Sequence, residues 1–164
     1  MPLALTSFDT LGRMIRYSDS TQGVTAADLD GFFVGWASPP APATHLRILR
    51  ASARVWLAID GGSGRVVGFV TAITDGVLSA SIPLLEVLPA HRGRGIGSEL
   101  VKRMLTTLDE FYAVDVVCDD DVRPFYERMG LKAHTAMVKR NYDRQSGAVE
   151  SGTLPTTWTD SPAP

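Results

Sequence analysis

Residues 84–98 read LLEVLPAHRGRGIGS, and they constrain the fold more than any other stretch of the chain. An apolar strand pattern ends at Pro89, a turn with glycines at 93, 95 and 97 follows, and an amphipathic helix begins. Glycines admit positive φ and carry no side chain, so successive backbone N–H groups can converge on one point. That point lies at a helix N-terminus, where unpaired donors and the macrodipole favour an anion. Arg92 and Arg94 flank it, and Gly93, Gly95, Ile96, Gly97 and Ser98 supply the backbone. The segment is suited to holding phosphate. The helix behind it repeats Ile96, Leu100, Val101, Met104, Leu105 and Leu108 at helical spacing, a stripe that a sheet must cover.

Two common phosphate loops fail on spacing. The dinucleotide fingerprint needs a third glycine where Ser98 stands, and a Walker loop needs a lysine that does not occur before Lys102. The pattern [RQ]-x-x-G-x-[GA] does fit, through Arg92, Gly95 and Gly97. It resembles the acyl-CoA signature of the GCN5-related N-acetyltransferases, the GNAT family. A second segment, Arg123-Pro124-Phe125-Tyr126-Glu127-Arg128-Met129-Gly130-Leu131, resembles the F-Y-E-x-x-G-[FL] helix of the same enzymes. Asp121 reads as its cap, Pro124 is tolerated in a first turn, and Gly130 suits a left-handed exit. The resemblance covers roughly residues 54–142, and the N-terminal quarter matches only in outline.

The resemblance implies an α/β fold: a mixed, mostly antiparallel sheet flanked by helices, with a splayed strand pair that binds acyl-CoA. Acetyl-CoA is then the co-substrate, its pyrophosphate on the glycine turn and its pantetheine arm along the backbone of Leu85, Glu86 and Val87. A preorganised N–H there, facing the thioester carbonyl, is typically worth about 3 kcal/mol. The resemblance also puts a tyrosine at position 126 as general acid. A phenol with a reference pKa of about 10 keeps its proton until a thiolate of pKa near 8.5 departs. Glu86 is the candidate base, a carboxylate among apolar neighbours with no lysine or arginine within five residues. Asp119, Asp120 and Asp121 are its rivals. His91 reads as a surface residue of the turn, His45 and His134 have no motif, and Cys118 reads as a small core residue. Direct transfer in a ternary complex is expected.

Composition narrows the rest. A chain of 164 residues with 45% hydrophobic and 21% charged residues is one ordinary globular domain. A net charge of −2 argues against a nucleic-acid partner, and no apolar stretch is long enough to cross a membrane. The opening Met1-Pro2-Leu3-Ala4-Leu5 lacks a basic leader pattern, and one cysteine makes no internal disulfide, so a cytoplasmic location is expected. No cysteine or histidine grouping has metal spacing. The expected partner is a small-molecule or peptide amine acceptor, walled by Phe32, Phe33 and Trp36, and a homodimer is admitted.

The predicted order is strand, two helices, three strands, helix, strand, helix, strand. The first strand is Met14-Ile15-Arg16-Tyr17. Thr25 caps one helix with Asp28 in the capping-box position, and Thr44 caps a second. Residues 55–59 and 66–70 form a hairpin, residues 78–88 the next strand, residues 114–118 another, and residues 137–142 the last. Residues 1–144 form the domain, and residues 145–164, rich in Ser, Gly, Thr and Pro, read as a flexible tail. The function expected is acyl-CoA-dependent N-acetyl transfer to a primary amine. A non-catalytic acyl-CoA sensor on the same fold is the alternative, which the presence of Tyr126 disfavours.

Overall fold

Val, Ile, Leu and Phe dominate residues 55–59 and 66–70, and in the computed structural model they form the centre of a six-stranded sheet. The structure describes residues 5–9 and 13–148. The strands are β1 (Leu5–Phe8), β2 (Met14–Ser18), β3 (Arg54–Asp60), β4 (Val66–Thr74), β5 (Ser79–Val87) and β6 (Ala113–Asp115). They lie side by side in chain order, antiparallel except for the parallel β5–β6 pair. The helices are α1 (Pro42–Ala51), α2 (Ile96–Thr107) and α3 (Arg123–Arg128).

Alternation along the strands sorts the core into two layers. Val55, Leu57, Ile59 and Phe69 face α1 with Leu29, Phe32, Phe33 and Leu49. Ala58, Val70, Ala72 and Ile82 face α2, whose Ile96, Leu100, Met104 and Leu108 are all buried as the helical spacing predicts. β4 is buried through its first seven residues because both faces are covered. Gly68 lets α2 come close. A Cβ there would stand 3.1 Å from Leu100 Cδ1 and 3.3 Å from Ile96 Cγ2.

Several elements differ from the expected ones. β1 adds a strand that the short leading sequence did not signal. Thr25 does donate from its N–H and hydroxyl to Asp28 Oδ2, but the element is only a 3₁₀ turn, Ala26–Leu29. Gly31 and Phe33, at φ 91° and 61°, stop it. Thr44 does not cap α1: Pro42 opens the helix and Ala41 is the N-cap. Asp121 does not cap α3 either, because the N-cap is Val122, with no side-chain cap. β6 stops at Asp115, three residues short of the predicted end. The strand predicted over residues 137–142 does not form: residues 131–141 have no regular structure, and Tyr142–Arg144 is a 3₁₀ turn. Of the predicted tail, Gln145 and Gly147 dock on the helix α1 side, through bonds to Ser38 N–H (2.9 Å) and from Arg47 Nη2 (2.8 Å). Residues 149–164 lie outside the described residues.

Candidate functional site

The glycine turn is built as its sequence suggests. Gly93 and Gly95 sit at φ 72° and 80°, and Gly95 is the left-handed N-cap of α2. No side chain caps the helix, and its first internal bond runs from Glu99 N–H to the Gly95 carbonyl (3.0 Å). The N–H groups of Ile96, Gly97 and Ser98 precede that bond and have no acceptor inside the helix. Gly97 is open on its outer side, since an added Cβ would meet only Val87 Cγ2, at an ordinary 3.7 Å. The arginines divide. Arg92 donates through Nε to the Val87 carbonyl (3.0 Å), whereas Arg94 reaches buried Asp9, with 3.7 Å between Nη1 and Oδ2. Nothing local in the sequence signals that pair, eighty-five positions apart by numbering.

β5 ends at this turn with one edge open. The Leu88 N–H bond to the Val67 carbonyl (2.9 Å) sets the phase of the β4–β5 ladder. In an antiparallel pair the bonded residues alternate, so Glu86 and Leu84 bond β4 while Leu85 and Val87 direct their N–H and carbonyl groups outward. β6 pairs only with Ser79, Ala80 and Ser81, so no strand among the described residues covers that outer edge. A register shift between Thr71 and Ile73 marks where β5 changes course, next to Pro83, which has no N–H to give.

Glu86 projects on the α1 side, opposite Leu85 and Val87, as alternation predicts. Its Oε2 accepts the N–H of Phe33 (2.8 Å), fifty-three residues away and held at φ 61°, an uncommon region for a bulky residue. Burial raises the Glu86 carboxyl above its ordinary value, opposed by the Phe33 bond and by Arg92, which the fold brings near from just beyond the five-residue window. If Glu86 takes a proton during turnover, kcat/KM climbs along an acidic limb above the usual carboxylate range. In Glu86→Gln that limb should vanish, while the amide oxygen still accepts from Phe33. A pH–rate profile in which the limb survives would move the proton to another group.

Tyr126, on α3, is 8% exposed, and its ring meets Phe125 edge to face at 5.0 Å. Burial pushes its phenol up to about 12, with a smaller contribution from Cys118. Its hydroxyl makes no hydrogen bond to the protein among the described residues, so a backbone anchor does not account for it. No bond joins Tyr126 to Glu86 or to the turn. Cys118 is exposed and not a core residue, because the strand ends before it. Asp119, Asp120 and Asp121 are exposed; Asp120 pairs with Arg123 at 3.7 Å. A cleft of about 370 Å³ between α1 and β3, lined by Arg50, Arg54, Trp56 and Thr107 among others, contains none of these site residues.

The expected acceptor wall is mostly core. Phe32 and Phe33 are buried around His45, whose ring lies 4.4 Å from that of Phe69 and 4.9 Å from that of Phe33, while Trp36 stays partly exposed. His45 is 1% exposed and neither ring nitrogen makes a close hydrogen bond, although the Leu29 backbone lies near enough to oppose part of the burial effect. Burial lowers it to about 4. The unfolded chain takes a proton there below about pH 6.5 and the folded chain does not until about pH 4, so stability falls as the pH drops through that window. The expected loss is on the order of 3 kcal/mol. Denaturation of the chain and of His45→Leu at pH 7 and pH 4.5 measures it, and equal pH dependence in both would contradict it. His91, expected at the surface, is half-buried, and burial and Arg94 both lower it.

The profile of the Acetyltransferase (GNAT) family matches residues 21–131. A presumed acetyltransferase from Deinococcus radiodurans R1, seen in a crystal structure, is 52% identical, with 83% of this chain and 94% of that chain covered and a TM-score of 0.80. A GNAT family acetyltransferase of Streptococcus pneumoniae TIGR4 is 29% identical, covering 77% of this chain and 96% of that one, with a TM-score of 0.61. GCN5-related N-acetyltransferase 3, chloroplastic, of Arabidopsis thaliana is 40% identical over 71 residues, 42% of this chain. The match spans 30% of that relative's length. The glycine turn, the mostly antiparallel sheet and these likenesses agree: the chain belongs to the GNAT acetyltransferase family.

Proposed function

We propose that the chain is an acetyl-CoA-dependent N-acetyltransferase that moves an acetyl group to a primary amine by direct transfer in a ternary complex. One observation carries this reading. A single strand–turn–helix unit offers both an uncapped helix start behind positive-φ glycines and an open strand edge at Leu85 and Val87. An anion and an extended amide-bearing arm are the two ligand parts such a unit can take. The empty side of Gly97 leaves room for the first.

Bound acetyl-CoA supplies an acetyl group activated as a thioester. The N–H groups of Gly93, Arg94, Gly95, Ile96, Gly97 and Ser98, with the Arg92 guanidinium, hold its phosphates. Leu85 offers a backbone donor and acceptor and Val87 a donor along the open edge, the Val87 carbonyl being held by Arg92 Nε, and a fixed donor there lowers the barrier more than a mobile water would. Glu86 accepts the ammonium proton of the acceptor, directly or through water, so that a neutral amine attacks. Its raised pKa makes it a better base than an exposed carboxylate. Tyr126 holds its proton at neutral pH and gives it to the departing sulfur.

The acceptor is a small-molecule or peptide amine. A single exposed cysteine suits a reducing compartment, and cytoplasmic is the location this supports. Incubation with acetyl-CoA and a panel of primary amines, read by thiol release and by mass, tests the activity. Amine-dependent release with an added acetyl mass is expected. A folded, acetyl-CoA-saturated protein that releases thiol with no amine of the panel would contradict it.

A further inference from the structure

Asp9, just after β1, keeps its side chain wholly out of solvent, and it precedes residues 21–131, the stretch that the family profile matches. Burying a charge is costly unless hydrogen bonds and an opposite charge offset it. The hydrogen bonds are local. Asp9 Oδ1 accepts the Arg13 N–H (2.8 Å), and the Asp9 N–H donates to the Arg13 carbonyl (2.8 Å). The opposite charge comes from far along the chain. Arg94, in the glycine turn, brings Nη1 to 3.7 Å from Asp9 Oδ2, with 16% of its side chain exposed. That Nη1 is buried and makes no hydrogen bond among the described residues, so the carboxylate is what offsets its burial.

Two acids lie on this side of the turn, since the charges of both Asp9 and Asp60 reach His91, together with those of Arg13 and Arg94. Asp60 is taken up by Ser63, whose N–H (3.0 Å) and hydroxyl (2.6 Å) both donate to its Oδ2. Asp9 is the acid that Arg94 meets. The place of Arg94 in the turn gives that contact its weight. It stands between Gly93 and Gly95, both at positive φ, and it is the only side chain between them. Glycines lose more conformational freedom on ordering than any other residue, so a turn built on two of them needs an external hold. On the other flank of Gly93, Arg92 Nε donates to the Val87 carbonyl (3.0 Å). The turn is thus tied twice, to β5 by Arg92 and to the end of β1 by Arg94.

From this we infer that Asp9 is a positioning residue for the acetyl-CoA turn: it holds the Arg94 guanidinium inward and so fixes the N–H groups of residues 95–98 before a ligand arrives. Arg94 then serves the phosphates through its backbone and not through its side chain. Donors fixed in advance bind more tightly, because the ligand does not have to order them. β1 gains a task by the same contact, since it carries the carboxylate to the turn. The inference rests on the reading that this turn holds acetyl-CoA.

Calorimetry with acetyl-CoA on folded variants, beside amide relaxation by NMR on the ligand-free proteins, tests this. Asp9→Asn keeps an acceptor for the Arg13 N–H and removes the charge. It should weaken acetyl-CoA binding by roughly 10-fold, a usual coupling within one ion-pair network. Arg94→Met should weaken it about as much, and the double variant no more than either single one, because both changes remove the same hold. In ligand-free Arg94→Met the amides of Gly93 and Gly95 should lose order relative to the wild type. A guanidinium that instead grips a phosphate makes the opposite forecast. Asp9→Asn would then free it, binding would hold or tighten, and the ligand-free turn of Arg94→Met would stay as ordered as before. Either result would overturn the inference, as would losses that add in the double variant. Where Asp9→Asn does not fold, the relaxation measurement on Arg94→Met decides. A wild type that binds no acetyl-CoA would overturn the reading of the turn and this inference with it, whereas wild-type affinity in Asp9→Asn would overturn this inference alone.

Discussion

Tyr126→Phe should lower kcat by about 10²–10⁴-fold, the usual contribution of a general acid, while acetyl-CoA binds as before. The substitution removes one oxygen and keeps the ring against Phe125. Because that hydroxyl makes no hydrogen bond to the protein among the described residues, its removal strands no partner, and the variant should unfold at the wild-type temperature. This separates the proposed role from a packing role, which would show in stability and not in rate. Single-turnover measurement confirms that chemistry is the step observed. An unchanged chemical rate would leave the thiolate to take its proton from water. Cys118→Ala in the same assay should turn over nearly normally, since direct transfer gives Cys118 no covalent part; loss of the rate would favour an acyl-enzyme.

The second large effect falls on the turn. Gly97→Val should weaken acetyl-CoA binding by roughly 10- to 100-fold, the consequence of about 1–3 kcal/mol of crowding where a ligand must pass close. Within the protein the change is mild. A Cβ at this position meets Val87 at ordinary contact distance, and valine is a better helix former than glycine. Substitutions at Gly93 or Gly95 are less informative, because positive φ makes them strain the turn whether or not it holds a ligand. Calorimetry on a Gly97→Val protein with intact cooperative unfolding is the measurement. Wild-type affinity there would mean that nothing passes the face of Gly97.

What could be read from the residues was what local physics decides. The three-glycine turn, the buried stripe of α2 and the alternation that sets Glu86 against Leu85 and Val87 all depend on near neighbours, and all formed as expected. The contacts that complete the site do not. Phe33 reaches Glu86 only because Gly31 and its own positive φ turn the chain back, and Asp9 meets Arg94 only after β1, which no pattern announced, takes its place. Residues 137–142 show the converse. Their pattern favours a strand, but a strand forms only when it bonds a neighbour, and in the structure these residues pair with no strand among the described residues.

The central claim is that the turn before α2 and the open edge of β5 together take acetyl-CoA. Calorimetric titration of the full chain with acetyl-CoA, NAD and ATP in parallel tests it most directly. The account predicts saturable one-to-one binding of acetyl-CoA and no comparable binding of NAD or ATP, whose loops need the glycine and lysine that Ser98 and the residues before Lys102 do not supply. A folded protein that gives no binding with acetyl-CoA, or that takes ATP or NAD as tightly, would contradict it.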